Sequence, residues 1–278
     1  MADLAPGFHH GLPMADYIAL PALNAGTIRT LLDRCPAAAW YESPWNTTRP
    51  RDDTAATDAG SIAHSILLEG DESICQVFNP SEYANAKGGG VATGWTNNAI
   101  REARDACRAA GKIPVLQDDM GEIRALVDAA RAYVESLRQD EPAIWRMFQP
   151  DGGRSEVTLV WREGETLCKA RADRIATDYS IIADYKSSAL SVEPDRWGRT
   201  QLVSMGYYVS AAWYRRGVRA LTGVDPSYVF LCGELAPPFL HSLIGVDPAG
   251  LELGDDKIAV GVGVQLKVID IRSATRQI

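Results

Sequence analysis

The chain has 278 residues, 46% hydrophobic and 23% charged, with a formal net charge of −8, an ordinary soluble globular composition with room for one large domain or two small ones. No run of 18 apolar residues occurs, so no membrane-spanning helix is expected, and the opening residues lack the basic-then-apolar order of a secretory leader. Five scattered cysteines, none in a C-x-x-C pair, point to reduced thiols in a cytoplasm rather than a disulfide framework, and an acidic chain binds nucleic acid only through a local basic surface.

Residues 1–16 read as an N-terminal tail. The stretch LNAGTIRTLLDRCPAAAWY suits a helix capped near Asn24 and interrupted before Pro36. DAGSIAHSILLEG suits a second helix, with Ile62, Ile66 and Leu67 on one stripe and Gly70 as its stop. NPSEYANAKGGGVATGWTNN is a polar, glycine-rich loop. Residues 98–110 can form a helix, and residues 119–139 form the clearest one, because Ile123, Leu126, Val127, Ala130, Tyr133, Val134 and Leu137 keep the helical spacing. The first 150 residues are thus mostly helical.

Beyond residue 150 the period changes to two. SEVTLVWRE alternates, Gly164 marks a hairpin turn, TLCKARADRIA follows, and a turn at Asp178 leads into YSIIADYKSS. Three successive strands form a meander. PDRWGRTQLVSMGYYVSAAWYRRG reads as one continuous helix from Pro194 to Gly217, and PSYVFLCGEL as a further strand. This order implies an α/β fold with a central mixed sheet and helices on both sides. The expected organisation is a single domain over 17–248, helical over 17–150 and sheet-forming over 151–248. The tail 249–278 is an edge strand or a frayed helix.

Strand side chains alternate, so Asp184 and Lys186 project from one face. Asp173 lies eleven residues before Asp184, a hairpin's separation that can bring the two carboxylates together. Paired carboxylates repel, and Mg²⁺ or Mn²⁺ resolves the repulsion through hard oxygen ligands. Lys186 would then face a phosphate oxygen or an attacking water. The plainer alternative for Asp-x-Lys is a solvated ion pair at a strand end.

The ordered set Glu156, CKARADRI, IIADYKSS and YYVSAAWY resembles the PD-(D/E)XK nuclease superfamily. It is most similar to the RecE, or exonuclease VIII, type of phage and prophage exonuclease in the RecB-like branch. ALPALNAGTIRTLLDRCPAAAWY and GSIAHSILLEG resemble that family's opening segments, so the likeness covers roughly residues 17 to 235. It implies a restriction-endonuclease-like core and a role for each matching residue. His64, Asp173, Asp184 and the Tyr185 carbonyl would be metal ligands, and Lys186 the catalytic lysine. Glu156 would join the catalytic set, holding a second metal or a water; a surface strand residue is the alternative. Lys169 and Arg171 share a face with Asp173 and would contact phosphate or neighbouring carboxylates, or else form a solvated strand face. A lone histidine such as His64 is otherwise more often structural.

The sequence departs from the resemblance at one point. Ser210 stands where the family commonly has glutamine, four residues before Tyr214. Gln201 falls opposite Ser210 on a continuous helix at about 100° per residue, so it would not replace the lost amide. Tyr207, Ser210 and Tyr214 share one face and are the candidate DNA contacts of that helix. Some RecB-like nucleases clamp an iron–sulfur cluster with four cysteines; Cys35 resembles the upstream one, but only Cys232 lies downstream, so no cluster is expected and Cys35 should be a buried apolar residue. No P-loop occurs, so ATP is not expected.

The implied function is a Mg²⁺- or Mn²⁺-dependent exodeoxyribonuclease acting on linear duplex DNA ends, 5′-to-3′, leaving 3′ tails for phage-type recombination. A single-strand annealing protein is a possible partner, and a ring-shaped trimer or tetramer the implied assembly. Its basic surface would come from Arg171, Arg174, Arg196, Arg199, Arg215 and Arg216. Alternatives are a catalytically silent DNA-binding or assembly protein of the same fold, a nuclease of other polarity or for single strands, and a hydrolase of small phosphate esters.

Overall fold

The computed structural model describes residues 4–42, 46, 55–83 and 91–275. In chain order the elements are β1 (Gly7–His9), α1 (Met14–Ala19), α2 (Ala25–Asp33), α3 (Pro36–Glu42), α4 (Ala55–Leu68), β2 (Cys75–Phe78), α5 (Asn98–Ala109), β3 (Ile113–Leu116), α6 (Gln117–Ser136), α7 (Pro142–Phe148), β4 (Gly153–Glu163), β5 (Thr166–Ala176), β6 (Ile181–Ser188), α8 (Pro194–Trp197), α9 (Tyr207–Thr222), β7 (Ser227–Glu234), β8 (His241–Gly245) and α10 (Pro248–Thr275). The main sheet has the order β1-β4-β5-β6-β7-β8. Its pairs are antiparallel except β6 and β7, which run parallel. The crossover between those two is the α8–α9 segment, since parallel neighbours need a long connection.

Each face of the sheet is covered, which is why the middle of β6 is apolar throughout. Ile182 and Phe230 pack with Ile28 of α2, Trp213 of α9 and Ile258 of α10. On the opposite face, Tyr185 and Leu231 pack with Ile62 and Ile66 of α4 and Ile123 and Leu126 of α6. The mixed, helix-flanked sheet and the β4–β5–β6 meander agree with the sequence. So does the Asn24 cap, whose side chain accepts from the Thr27 N–H at 3.0 Å. Gly70 has a φ of +69° just past α4, as expected of a helix stop. Residues 84–90 of the expected glycine-rich loop lie outside the described residues.

Several expectations give way to the structure. The supposed tail 1–16 carries β1, paired antiparallel with β4 at Phe8 opposite Leu159. Three residues are too short to show a period. Of the two forms left open for 249–278, the described residues take the helix: α10 over Pro248–Thr275, packed on α9 and α2. Its Gly254 permits close approach: a Cβ there would lie 2.8 Å from the Tyr208 carbonyl oxygen and from the Ala212 Cβ. Cys35 is exposed, in the turn between α2 and α3. The short parallel pair β2–β3 was also illegible, because each strand is four residues long.

The helix expected from Pro194 to Gly217 is not continuous. After α8 the chain makes a π-helical turn over Gly198–Leu202, then reaches Gly206 at φ +64° before α9 begins. The opposite-face argument for Gln201 and Ser210 therefore lapses, since it assumed one helical axis. Gly217 lies inside α9, and Gly223, at φ +77°, ends it. Among the described residues no helix is long and apolar enough to cross a membrane.

Candidate metal and active site

β5 and β6 pair only at Arg174 opposite Ala183 and Ile175 opposite Ile182. The next positions in that register are Asp173 and Asp184. The ladder stops there, so the two carboxylates face the widening gap between the strands. One Asp173 oxygen accepts from the Tyr185 N–H at 2.9 Å, replacing the carbonyl that a continued ladder would have supplied. Lys186, two residues on, places its Nζ 2.6 Å from the Asp184 carboxylate. Asp184 and Lys186 thus share a face, as the alternation required.

Glu156 reaches the site by a break in β4. Ser155 pairs with Arg174 and Val157 with Ala172, so Glu156 stands across from Asp173. Its own pair is missing, and its φ is +54°. For a non-glycine residue that conformation costs about 1–2 kcal/mol, and such strain concentrates at functional sites. Arg171 holds the displaced carboxylate through its Nε, while its Nη1 donates to the Leu12 carbonyl at 2.6 Å. Arg171 therefore serves a neighbouring carboxylate, one of its two expected roles.

His64 comes from the middle of α4. Its Nε2 lies 3.1 Å from Asp173 and 3.6 Å from Glu156. The helix is held to the sheet at two points. About one turn before His64, a Cβ on Gly60 would lie 2.5 Å from the Ser187 Oγ, so glycine lets the helix approach β6. At its end, the Ser155 hydroxyl donates to the Leu68 carbonyl at 2.6 Å. One ligand atom from each of His64, Glu156 and Asp173 lies within 4.8 Å of the others. An imidazole and two carboxylates suit a divalent cation with open positions, so the residues present fit a metal ion. Asp184 stands outside this trio, turned to Lys186. The Tyr185 N–H is engaged by Asp173.

Burial and crowding set the electrostatics. Burial, then the Asp173 charge, pushes Asp184 up against the pull of Lys186. Burial opposes ionisation of Asp173 as well, but hydrogen bonding to His64 and the Lys186 charge hold it well below the usual carboxylate range. Burial raises Glu156, with the Asp173 charge adding and Arg171 opposing. For His64, burial lowers the pKa, yet the hydrogen bond to Asp173 and the surrounding carboxylates raise it overall. Burial would lower Lys186, and the Asp184 and Asp173 charges raise it instead. Lys186 is a firmly held cation.

The expected DNA contacts divide. Tyr207 lies beneath Lys186, its ring centre 5.5 Å from Nζ. Tyr214 packs edge-on against Tyr228 at 5.8 Å. Ser210 is half-buried on α9 between them. Lys169 is different: it is 2% exposed, and its ammonium donates to the carbonyls of Tyr17, Ile18 and Leu20 at 2.7, 3.2 and 2.8 Å. It ends α1 and is closed to phosphate. Alternation placed it on the Asp173 face but could not show that α1 covers that face. The sequence also missed Tyr17, whose ring lies under both Lys169 and Arg171, and Tyr228, whose hydroxyl pKa is raised by burial and by the nearby Asp184 charge. Neither belongs to a recognisable motif.

A mixed sheet flanked by helices, with an acidic pair at the point where two strands part and a lysine two residues on, is the PD-(D/E)XK architecture. Residues 27–268 match the family described as a PDDEXK-like domain of unknown function (DUF3799), and the chain belongs to that family. Among solved structures, it is similar to the crystal structure of "Putative exonuclease" from Eubacterium rectale, at 14% identity over 93% of this chain and 88% of that one, with a TM-score of 0.58. The structure of SSO0001 aligns at 14% identity over 72% of this chain and 85% of its own, with a TM-score of 0.25, too low to bear on the fold. No curated protein matches the sequence.

Proposed function

We propose that the protein is a metal-dependent exodeoxyribonuclease acting on linear duplex DNA. The observation that carries this reading is the convergence of His64, Glu156 and Asp173 within 4.8 Å, beside the 2.6 Å Asp184–Lys186 pair. The trio would hold Mg²⁺ or Mn²⁺, with Asp184 and the Tyr185 carbonyl as further candidate ligands. A divalent cation supplies charge that stabilises phosphoryl oxygens and lowers the pKa of water. The Asp184 and Asp173 charges favour the protonated form of Lys186, which suits donation to a phosphate oxygen and offset of developing charge. Tyr207 supports the lysine stem, and Asp184 fixes the direction of its ammonium. His64 joins the trio through Nε2, which must shed any proton to bind a cation.

That requirement sets a pH dependence. Because the carboxylates raise the His64 pKa and burial raises that of Glu156, protons compete with the cation from a higher pH than for free side chains. Mn²⁺ affinity is expected to fall as pH drops from 8 to 6. His64→Gln should weaken binding at pH 8 and flatten the profile. Calorimetric titration across that range checks it, and an affinity independent of both pH and residue 64 would remove His64 from the centre.

The resemblance to exonuclease VIII supports 5′-to-3′ digestion that leaves 3′ tails, together with a role in recombination, an annealing partner and a cytoplasmic setting. Purified protein with Mg²⁺ or Mn²⁺ should shorten linear duplex DNA, and chelation should stop it. Duplexes labelled at one end or the other measure direction: 5′ label released first is expected, and 3′ label released first would refute the subfamily while leaving the nuclease intact.

The same likeness supports a ring-shaped homotrimer or tetramer, a closed assembly that would retain its substrate. The charge argument for the ring is narrower than the sequence implied. Arg174 is bonded to the Met147 and Gln149 carbonyls, Arg215 to Asp225, and Arg216 to Glu163 and Asp255. Together with Arg171, these cations serve the fold. Light scattering at micromolar protein should return a trimer or tetramer; a monomer both alone and with DNA would rule the ring out.

A further inference from the structure

The segment between β6 and α9 is the part of the site's surroundings with its cationic and apolar groups turned outward. Arg196 and Arg199 are exposed, and among the described residues neither guanidinium has a partner. Val203 and Met205 are 63% and 51% exposed. Arg199 lies within the π-helical turn over Gly198–Leu202, a form found mostly at functional positions, and the other three flank it. Yet the segment is held firmly. The Glu193 carboxylate accepts from the backbone N–H groups of Asp195 and Arg196 at 3.2 and 2.8 Å. Arg29 lies over Gly206 and donates to the Met205 carbonyl. Its inner side is bound to the lysine: the fully buried Trp197 stacks on Tyr207 at 5.7 Å, and Tyr207 carries Lys186 on its ring at 5.5 Å.

We propose that residues 196–205 form the surface that grips the DNA strand entering the site, an inference that rests on the nuclease reading above. Arg196 and Arg199 neutralise phosphates next to the one presented to Lys186. Val203 and Met205 pack against the bases exposed at the duplex end, where apolar side chains replace lost stacking. Three features favour a polyanionic strand as the occupant. The chain carries −8 overall, so unpaired arginines are placed against the prevailing charge. They adjoin a residue in the contact chain to the catalytic lysine. One short segment also offers two cationic groups followed by two apolar ones, as a strand offering both phosphates and base faces requires.

The test compares Lys186→Met protein, which should bind without cutting, with the same protein also carrying Arg196→Gln and Arg199→Gln. Anisotropy of a labelled duplex with a short single-stranded end is measured over a range of salt. Each phosphate contact contributes about 0.9 to the slope of log affinity against log salt. The arginine substitutions should therefore reduce the slope by about 2 and weaken binding roughly tenfold at moderate salt, with Mn²⁺ affinity equal to that of the Lys186→Met parent. Val203→Ser with Met205→Ser should leave the slope alone and diminish the response of a 2-aminopurine at the duplex end. Slopes and affinities equal to the parent's would overturn the proposal while the nuclease reading stood. If the parent bound no DNA and the unaltered protein cut none, the nuclease reading would fail first and this one with it.

Discussion

Asp184→Asn and Lys186→Met are each expected to slow cleavage of linear DNA by on the order of 10³-fold, and the metal-free Asp184→Asn protein is expected to melt above the parent. The rate effect follows from the 2.6 Å pairing of the two side chains. Methionine keeps the length of the stem and removes the donor that meets the phosphate. Asparagine keeps the shape and removes the charge that aims the donor. The stability effect has the opposite sign because Asp184 is 8% exposed and faces Asp173 across the parting strands. Burial and that neighbour raise its folded pKa above its unfolded value. A carboxyl shifted upward binds its proton more readily when folded. Its ionisation therefore subtracts from stability as pH rises from the unfolded pKa to the folded one, and the loss persists at neutral pH. An amide cannot ionise, so the loss disappears. Melting curves in chelator at pH 7, beside turnover in Mn²⁺, measure both effects. Undiminished turnover in both variants would discard the proposed site, whereas a lower melting point for Asp184→Asn would mean that the pairing with Lys186 outweighs the crowding with Asp173. Activity held at the expense of stability is usual for charged sites.

Gly217→Ala is expected to destabilise the protein by about 2 kcal/mol, although alanine is favoured over glycine in a helix by about 1 kcal/mol. Gly217 lies inside α9, where the buried Trp161 ring covers it. A Cβ there would stand 2.8 Å from Trp161 Cζ3 and 3.0 Å from Cε3. The indole cannot retreat. It packs against Trp213 at 4.8 Å between ring centres, and its N–H donates to Glu163 at 3.2 Å. Glu163 in turn is held by Arg216 at 2.8 Å. A methyl group would therefore push α9 off the sheet. Because propensity and packing predict opposite signs, urea denaturation decides between them: a gain of stability would show that the helix has room at this crossing. Gly217→Ala with Trp161→Leu should recover part of the loss.

Gly217 also shows why some of the fold could be read directly and some could not. A glycine near the end of an apolar run has the chemistry of a helix stop, and Gly70 is one. At Gly217 the same residue serves close packing, and its partner Trp161 is 56 positions earlier in the chain. Local pattern carries no record of that partner. The same limit explains Lys169, which alternation placed beside Asp173 and which α1, from 150 residues upstream, removes from solvent.

The sequence by itself determined the change of period near residue 150, the β4–β5–β6 meander, the amphipathic α4 and α6, and the shared face of Asp184 and Lys186. Each depends on residues within one or two elements, where periodicity and turn chemistry act over a few positions. Family resemblance drew attention to His64, Glu156 and Asp173, but their meeting was decided only by the tertiary structure. It required β4 to break at Glu156, β5 and β6 to part after Arg174, and Gly60 to let α4 approach Ser187. The same holds for the fate of the arginines. Charge and exposure are written in the residue type only until the fold supplies partners; it supplied them to Arg171, Arg174, Arg215 and Arg216, and left Arg196 and Arg199 facing solvent on the segment that carries Trp197.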